Sequence, residues 1–455
     1  MRKSTQAQLT TGPVFQRLME FAVPYLLTSL LQVLYGVVDT YTVGIYTDAT
    51  SISAVSIGAK VSSLITVVVM GLATGATVLI GRNIGEEDDK AAAAAVGNTI
   101  SFFLLFAMLA TPLMLVMTPR LVLWVQTPEA AVSAASSYVF ICVCGLPFVI
   151  AYNLICSILR AIGDSKTPMY FVAIACVVNI GLDFLLVGAL HMGAAGAAVA
   201  TIVAQAVSSV CGLLYLLLHK LPFPVTLRDL RFQSGVLGRI LGVGLPVAVQ
   251  DGCMHICFIV LTAIANLRGV TDSAGVGIVE TIVNAVFLVA YAFEAAVVTM
   301  TAQNLGAGKP ERVRTAVGYS ILVVAAFGAA VMLVCNFWGE SVVGIFTADP
   351  AVIRAGTPYL RTYSIDTMLA AFSFVLSGYL CGKGSSGIVF VQNMLAIILV
   401  RLPVAYYMST LFPDTMLYMG LSSPCGTLFS SLFLVTCLLA RKDMLLCKNP
   451  RKVWG

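Results

Sequence analysis

The sequence predicts an all-α membrane protein with twelve transmembrane helices in two six-helix lobes that are related by an internal repeat. Three observations predict this fold class: the composition, the length of the uncharged segments, and a similarity between the two halves of the chain. Of the 455 residues, 59% are hydrophobic and only 10% are charged, and the mean hydropathy is +0.96. In a soluble domain about a quarter of the residues are charged. Because this chain has far fewer, we expect a lipid bilayer to surround it.

Twelve largely uncharged segments are long enough to cross a bilayer core, which takes about 20 helical residues. Because twelve is an even number, both termini are expected on the same side of the membrane. The predicted spans are Phe21–Ile45, Ala54–Ile80, Ala91–Met117, Ala134–Leu159, Pro168–Leu190, Ala194–Leu218, Ile240–Asn266, Ala274–Met300, Thr315–Phe337, Pro358–Cys381, Ser386–Leu411 and Met416–Ala440.

Basic residues are distributed unevenly between the loops. The two termini and every second loop contain twenty Lys and Arg, whereas the opposite loops contain only Arg120, Arg268 and Arg354. Cytoplasmic loops carry the basic excess in membrane proteins, so both termini are expected in the cytoplasm, with the chain in a bacterial inner membrane. The net charge of +5 is therefore a topology signal and does not indicate a nucleic-acid partner. We expect the first apolar segment to be an uncleaved anchor, because it is longer than the apolar part of a signal peptide.

An internal repeat relates the two halves of the chain. Asn83 aligns with Asn304, and Tyr138 aligns with Tyr359, each 221 positions later (304 − 83 and 359 − 138). Six spans per copy give both halves the same orientation, and transporters are often built from such repeats, with substrate bound between them. A constant offset over separated segments therefore indicates duplication of a six-helix unit.

The repeat predicts a domain organisation in three parts. Residues 1–219 form an N-terminal six-helix lobe, residues 220–239 form a cytoplasmic linker, and residues 240–455 form a C-terminal six-helix lobe with a basic cytoplasmic tail. Glycines such as Gly71 and Gly75 either permit close helix packing or act as hinges, and packing is the favoured interpretation for most of them.

Ionisable residues within the predicted spans are candidate functional residues, because inserting a charge into a bilayer is costly. Glu294 is set aside at this point because it lies near the predicted end of its helix. The interior acids are Asp39, Asp183, Asp251, Glu280, Glu294 and Asp366, and Arg401 is the clearly interior cation.

Asp39 and Asp183 are the best candidates for a site that binds a mobile cation. Asn179 and Asp183 are four residues apart, so their side chains lie on one helical face, and only Lys60 in the first half lies at a comparable depth. Carboxylate and amide oxygens suit Na⁺, whereas buried carboxylates can also exchange protons. The alternative is that both acids are protonated and only hydrogen-bond across helices.

The second half does not repeat these acids. The alignment places Leu261 opposite Asp39 and Val404 opposite Asp183, which favours a cation site in the first half. Asp366 and Arg401 have two equally weighted interpretations, a structural ion pair or a role in transport. Glu280 and Asp251 are weaker candidates for a substrate or ion site in the second lobe.

Five strings in order resemble the multidrug and toxic compound extrusion (MATE) family over almost the whole chain. They are VVDTYTVG after Pro24, GATVLIGRNIG, RAIGDSKTP, NIGLDFLLV and GAAGAAVATI. The resemblance implies antiport of organic cations against Na⁺ or H⁺ through a cleft between two lobes. It favours a DinF-like or divergent bacterial branch, and it suggests a monomer.

Site residues follow from this resemblance position by position. It implies a site for the coupling ion, which is either a proton or the metal ion Na⁺. It also implies a bend of the first helix at Pro24. The first-lobe residues that it implies are Asp39, Asn179, Asp183 and Thr201, with Tyr35 and Tyr138 close by. Asp366 is the counterpart proposed for the second lobe, and Asp251 lies about a turn from the expected acid.

The resulting functional hypothesis is export of small organic, lipophilic cationic compounds by alternating access, with no cofactor and with H⁺ or Na⁺ as the coupling ion. A flippase for a lipid-linked or amphipathic metabolite is the alternative, although such proteins commonly have a basic cavity. An enzyme is not expected, because the three histidines His191, His219 and His255 form no HExxH motif. GKGSS at Gly382 lacks the spacing of a phosphate-binding loop.

Overall fold

A computed structural model describes residues 9–124, 127, 129–219, 221–441 and 443. The predictions for Arg2, Lys3, Lys220 and the tail after residue 443 lie outside this part. Within it the chain is helical and contains no strand. The α-helices are α1 Val14–Tyr46, α2 Ala49–Gly85, α3 Asp89–Trp124, α4 Glu129–Cys144, α5 Leu146–Ala161, α6 Lys166–Asp183, α7 Gly193–Leu218, α8 Ser234–Asn266, α9 Val270–Gly306, α10 Pro310–Phe337, α11 Gly339–Gly344, α12 Pro350–Tyr363, α13 Ile365–Gly382, α14 Ser386–Leu395, α15 Leu402–Leu411 and α16 Ser422–Ala440.

Two π-helical turns interrupt these helices. Phe184–Ala189 continues α6, and Ala396–Arg401 joins α14 to α15. A π-helical turn adds one residue relative to an α-helical turn and occurs frequently at functional sites. Both turns lie in the fifth span of their half. The first turn follows Asp183, and the second turn ends at Arg401.

The number of spans agrees with the predicted fold class. Eleven helical segments of the described chain are long and apolar enough to cross a membrane, and one bent pair makes up to twelve. In that pair Ala131–Cys144 meets Leu146–Ala161 at 46°. The bend falls at Gly145, and Pro147 in the first turn of α5 lacks an amide hydrogen. The prediction of an all-α membrane protein with twelve spans is confirmed.

Large apolar side chains cover much of the helical surface. Met108 and Val177 are each 73% exposed, and Leu218 is 77% exposed. Soluble monomers rarely expose contiguous apolar surface of this extent. Lipid is the environment that these side chains match.

The chain forms two compact units whose limits differ from the predicted lobes. One unit contains Val23–Ala248, and the other contains Leu9–Ala22 together with the chain from residue 249 onward. The predicted boundaries at 219 and 240 therefore separate residues that pack together. The start of α8 belongs to the first unit, and the start of α1 belongs to the second.

Glycines of α2 explain why the start of α8 packs with the first unit. A Cβ atom on Gly71 would lie 2.4 Å from the Cα atom of Ala248, and one on Gly75 would lie 2.1 Å from the carbonyl oxygen of Ile240. The two backbones approach so closely that only glycine fits on α2. The packing interpretation of these glycines is therefore the one that the structure supports.

Basic side chains of the second unit hold the segment before α1. Arg312 donates to the carbonyl oxygens of Leu9 at 3.1 Å and Gly12 at 2.7 Å. Lys309 donates to the carbonyl oxygen of Thr10 at 3.0 Å. Hydrogen bonds to a charged donor are stronger than neutral ones, and these attach the segment to the start of α10.

Helix ends repeat between the halves. The ends of α5 and α13 have Gly163 and Gly384 in the left-handed region, at φ 92° and 88°. The ends of α2 and α9 have Glu87 at φ 58° and Gly308 at φ 67°. In each pair the second residue follows the first by 221 positions (384 − 163 and 308 − 87). The same left-handed cap thus closes equivalent helices in both halves.

The predicted linker overlaps the start of a helix, since α8 begins at Ser234. Gln233 donates its amide hydrogen to the Asn98 side chain of α3 at 2.7 Å. Hydrogen bonds from the hydroxyl and amide of Thr226 hold the pKa of Asp229 below its ordinary value. The segment before α8 is therefore ordered by contacts with α3 and by its own turn.

Candidate functional site

Asp39 of α1 and Asp183 of α6 face each other inside the first unit. Asp39 is 6% exposed and Asp183 is 0% exposed. The two carboxyl groups are close enough for one to hydrogen-bond to the other when it carries a proton. Two ionised carboxylates at this distance repel each other, so a proton or a metal cation between them relieves that repulsion.

Asn179 contributes unpaired polar atoms next to this pair. It lies one turn before Asp183 on α6 and is 0% exposed. Within the described part of the chain, neither its side-chain oxygen nor its nitrogen has a hydrogen-bond partner, and the same is true of both carboxylate oxygens of Asp183. Leaving buried polar atoms unpaired is costly, and an oxygen-binding cation would relieve that cost at the carboxylate and amide oxygens.

A small pocket that is lined in part by α1 contains two of the predicted site residues. Tyr35 and Thr201 line it, and the amide of Gln205 lies 3.5 Å from the Tyr35 hydroxyl. The buried hydroxyl of Thr201 has no hydrogen-bond partner among the described residues. The lining is completed by Gln32, Val172, Ala175, Ala204 and Ser208.

Tyr138 of α4 packs beside this site. It is 3% exposed and interacts electrostatically with Asp39 and Tyr35. Its ring occupies the space above Gly58 of α2, where a Cβ atom would lie 2.1 Å from the ring. The position of Tyr138 therefore depends on a glycine at residue 58.

No basic side chain of the described first unit forms a salt bridge with the two acids. Lys60, the cation at comparable depth in the sequence, is exposed on α2. Among the residues that the structure describes, neither Asp39 nor Asp183 forms an ion pair. The carboxylate, amide and hydroxyl groups of this site suit Na⁺ as well as H⁺.

Pro24 lies within α1, which continues through it without a break. It cannot donate an amide hydrogen to the carbonyl of residue 20, which weakens the helix at this point. The limit between the two compact units falls beside it, between Ala22 and Val23.

The alternative of an ion pair between Asp366 and Arg401 is wrong. Asp366 of α13 accepts a hydrogen bond of 2.6 Å from the Ser423 hydroxyl. Arg401 donates to the Thr427 hydroxyl at 2.9 Å and contacts the sulfur of Met254 at 3.7 Å. The two charged groups thus bind to different side chains of α16, a result that their sequence positions do not reveal.

The other acids of the second unit lie in two places. Glu280 of α9 interacts electrostatically with Tyr359 and Cys257. Asp251 of α8 interacts electrostatically with Glu294 of α9. The sequence predicts Glu294 near the end of its helix, but α9 continues for twelve residues beyond it to Gly306 (306 − 294). Glu294 therefore does not lie at the end of α9.

Sequence reasoning missed Gln32 and Gln205, which line the pocket. Helical spacing is the signal that could have found them. Gln32, Tyr35 and Asp39 occupy one face of α1 at steps of three and four residues, and Gln205 follows Thr201 by four residues on α7.

Comparisons with known proteins agree with this fold. A family model described as MatE matches residues 24–185 and, a second time, residues 246–407. Probable multidrug resistance protein YpnP of Bacillus subtilis (strain 168) is 27% identical over 402 residues, which cover 87% of this chain and 88% of that protein. Probable multidrug resistance protein NorM of Thermotoga maritima is 25% identical over 402 residues, 87% of this chain and 86% of that protein.

A solved structure shows the same fold. The crystal structure of MATE in complex with MaL6 superposes with a TM-score of 0.90 at 23% identity, covering 97% of this chain and 100% of that one. The two family matches, which cover more than half of the chain, confirm the internal repeat. The members of this family are transporters and not enzymes. The chain belongs to the MatE family of membrane transporters.

Proposed function

We propose that this protein is a secondary active transporter that exports small organic compounds in exchange for H⁺ or Na⁺. The observation that carries the proposal is the pair of buried carboxyl groups of Asp39 and Asp183, which face each other without a protein cation. Such a site favours a bound cation and changes its net charge when the cation leaves. The names of the two relatives, both called multidrug resistance proteins, support a substrate class of drug-like organic molecules.

The proposed cycle is alternating access. Binding of the cation at Asp39 and Asp183, with oxygen ligands from Asn179 and Thr201, bends α1 at Pro24 and expels the substrate outward. Tyr35 and Tyr138 shape the surroundings of the acids. Release of the cation to the cytoplasm restores the starting state.

Lipophilic cations are the substrate class that the acidic and aromatic lining favours, because both negative charge and ring faces attract them. We place the protein as a monomer in the bacterial cytoplasmic membrane with both termini inside. The flippase alternative is not favoured by the comparisons.

Transport by purified protein in liposomes tests the proposal. A proton gradient and a sodium gradient are imposed separately, and the movement of ethidium, a fluorescent lipophilic cation, is followed. One gradient is expected to drive ethidium transport by the wild type. Asp39→Asn is expected to slow it by about tenfold or more, because an interaction with a charged group is worth about 1.5–3 kcal/mol.

Asp414→Asn is the matched control, because Asp414 is an exposed acid in a loop. It should transport ethidium as the wild type does. Full gradient-driven transport by Asp39→Asn would exclude this residue from ion coupling, and absence of transport with both gradients would exclude ethidium-like substrates.

A further inference from the structure

Two basic side chains at the start of α10 hold the backbone of residues 9–12, which we call the anchor segment. This segment lies just before α1 and belongs to the second unit. Each of its four carbonyl oxygens accepts a hydrogen bond from one of the two side chains. The bonds run from Arg312 to Leu9 (3.1 Å), Thr11 (3.2 Å) and Gly12 (2.7 Å), and from Lys309 to Thr10 (3.0 Å).

Leu9, the first residue of the anchor segment, is also held by side chains at the end of α9. Its amide group donates to the Gln303 side chain at 3.2 Å, and Asn304 donates to its carbonyl oxygen at 3.3 Å. Asn304 also accepts a hydrogen bond of 3.1 Å from Nε of Arg312, which orients the guanidinium group. Leu9 is buried, and both polar groups of its backbone are thus satisfied although it lies outside the helices.

The two basic side chains have no basic counterparts at the equivalent positions of the first half. The starts of α3 and α10 are 221 positions apart (310 − 89). At this offset the counterpart of Lys309 is Asp88 (309 − 88). The counterpart of Arg312 is Ala91 (312 − 91). Neutral side chains of α3 bind the segment before α8 instead. Because hydrogen bonds from charged donors are stronger than neutral ones, α1 has the firmer attachment.

The surroundings of α1 change at Pro24. Leu18 and Phe21, on the part of the helix before Pro24, are buried. Leu27 and Leu30, on the part after it, are exposed. The limit between the two compact units also lies beside Pro24. The part before Pro24 would therefore lose more packing by moving than the part after it.

Two hydroxyl groups weaken α1 directly after Pro24. Thr28 donates to the carbonyl oxygen of Pro24 at 2.8 Å, and Ser29 donates to that of Tyr25 at 3.2 Å. Hydroxyl groups that bind the preceding helical turn destabilise a helix slightly and often bend it. Pro24 removes an amide donor at the same place. This turn is therefore where α1 bends most easily.

We propose that the anchor segment fixes the part of α1 before Pro24 to the second unit, so that only the part after Pro24, which carries Asp39, moves. Lys309 and Arg312 are then positioning residues, because they lie outside the candidate ion site and act by keeping the start of the helix in place. Resting on the proposed function, this gives both residues a part in ion coupling. A helix with a fixed start converts ion binding into a bend, whereas a helix with a free start tilts as a whole.

Hydrogen–deuterium exchange of the purified full-length protein tests the attachment. Arg312→Gln is expected to speed the exchange of backbone amides in residues 9–22 about tenfold, since a hydrogen bond to a charged group is worth roughly that factor. Lys309→Gln removes the bond to Thr10. It should act in the same direction and serves if Arg312→Gln does not fold. Arg239→Gln is the control, because Arg239 is exposed at the start of α8, and it should leave this exchange unchanged. Exchange at the wild-type rate in a folded anchor variant would overturn the proposal.

The same measurement locates the motion in the wild type without any transported substrate. Exchange is compared at acidic and alkaline pH, with and without Na⁺. A response confined to residues 25–46 is expected, and a response in residues 9–22 would overturn the proposal. No response in either part would contradict the bend of the proposed function, while the anchor variants still test the attachment.

A covalent link tests the role of the anchor segment in transport. Thr10→Cys and Lys309→Cys are combined in a background without native cysteine and joined by a flexible bis-maleimide, which can span them because Lys309 already reaches the Thr10 carbonyl. The linked protein should transport ethidium at least as fast as the unlinked one, because this part of α1 stays in place. Adding Arg312→Gln should slow the unlinked protein several-fold, and linking should restore its rate.

The transport results separate the anchor from the proposed function. Loss of transport on linking would show that the start of α1 must move. An unchanged rate in the unlinked Arg312→Gln protein, despite faster exchange, would show that the attachment does not serve transport. Either result would overturn the anchor. Absence of ethidium transport by the wild type would instead count against the proposed function, and hydrogen exchange would still decide where α1 is fixed.

Discussion

At the residue scale, Gly58 determines where Tyr138 can lie. A Cβ atom at residue 58 would come within 2.1 Å of the tyrosine ring. Gly58→Ala should destabilise the protein by about 1–3 kcal/mol, the usual cost of overpacking, and should also slow transport if Tyr138 serves the cation site. Thermal unfolding in detergent measures the first effect, and ethidium transport measures the second.

Gly44→Ala on α1 is the control for this prediction, because a Cβ atom there meets nothing within 4 Å. Equal melting temperatures for the two variants would show that the ring moves aside without cost.

Glu87 is a residue whose backbone conformation is better suited to glycine. It ends α2 at φ 58°, whereas the equivalent end of α9 has Gly308. A left-handed conformation costs a non-glycine residue roughly 1–2 kcal/mol. Glu87→Gly is therefore expected to raise the thermal unfolding temperature. Glu87→Ala removes the same charge but retains a Cβ atom, so it should produce no increase, and an equal gain in both variants would trace the effect to charge.

The candidate site shows what residue spacing can predict. Asn179 and Asp183 are four residues apart, so helical geometry alone predicted that they share a face of α6. Asp39 is 144 residues away from Asp183 in the chain (183 − 39). Its interaction with Asp183 depends on the packing of α1 against α6, which no local pattern encodes.

At the scale of the helix, Pro24 weakens α1 beside the limit between the two compact units. Pro24→Ala supplies the missing amide hydrogen and removes the clash of the proline ring, which can be worth about 3 kcal/mol in a helix interior. We expect this variant to be more stable to heat and to transport ethidium more slowly, because the proposed bend becomes harder to form. Unfolding temperature and initial transport rate are measured on the same preparation.

Pro222→Ala is a control for this experiment, since it also removes a proline but lies outside the helices. Transport by Pro24→Ala at the wild-type rate would contradict a role for helix bending.

The fifth span of each half illustrates what sequence reasoning misses at the scale of the helix. Apolar length predicted each span correctly, but the π-helical turns Phe184–Ala189 and Ala396–Arg401 have no distinct hydrophobic signature.

At the scale of the whole molecule, topology is the property most directly open to test. Both termini and the loops around Asp88 and Asp164 are expected in the cytoplasm, whereas His191 and Asp414 are expected outside. Cysteine substitutions at these four positions, in a background without native cysteine, should be labelled by a membrane-impermeant maleimide only at residues 191 and 414 in intact cells. Labelling at residue 88 or 164 would invert the predicted orientation.

The sequence by itself determined the number of spans, the membrane environment and the internal repeat. These are local or periodic properties: a helix needs a fixed apolar length to cross lipid, and duplicated segments retain a constant offset. The predicted orientation also rests on loop charges alone.

Only the tertiary structure decided which side chains meet and which segments share a unit. The first residues of α8 pack with the first unit because Gly71 and Gly75 admit their backbone, and the start of α1 joins the second unit, where Arg312 binds the segment before it. Asp366 and Arg401 bind separate partners on α16 for the same reason. Contacts between distant segments depend on helix packing, and the order of residues along one helix does not specify its neighbours.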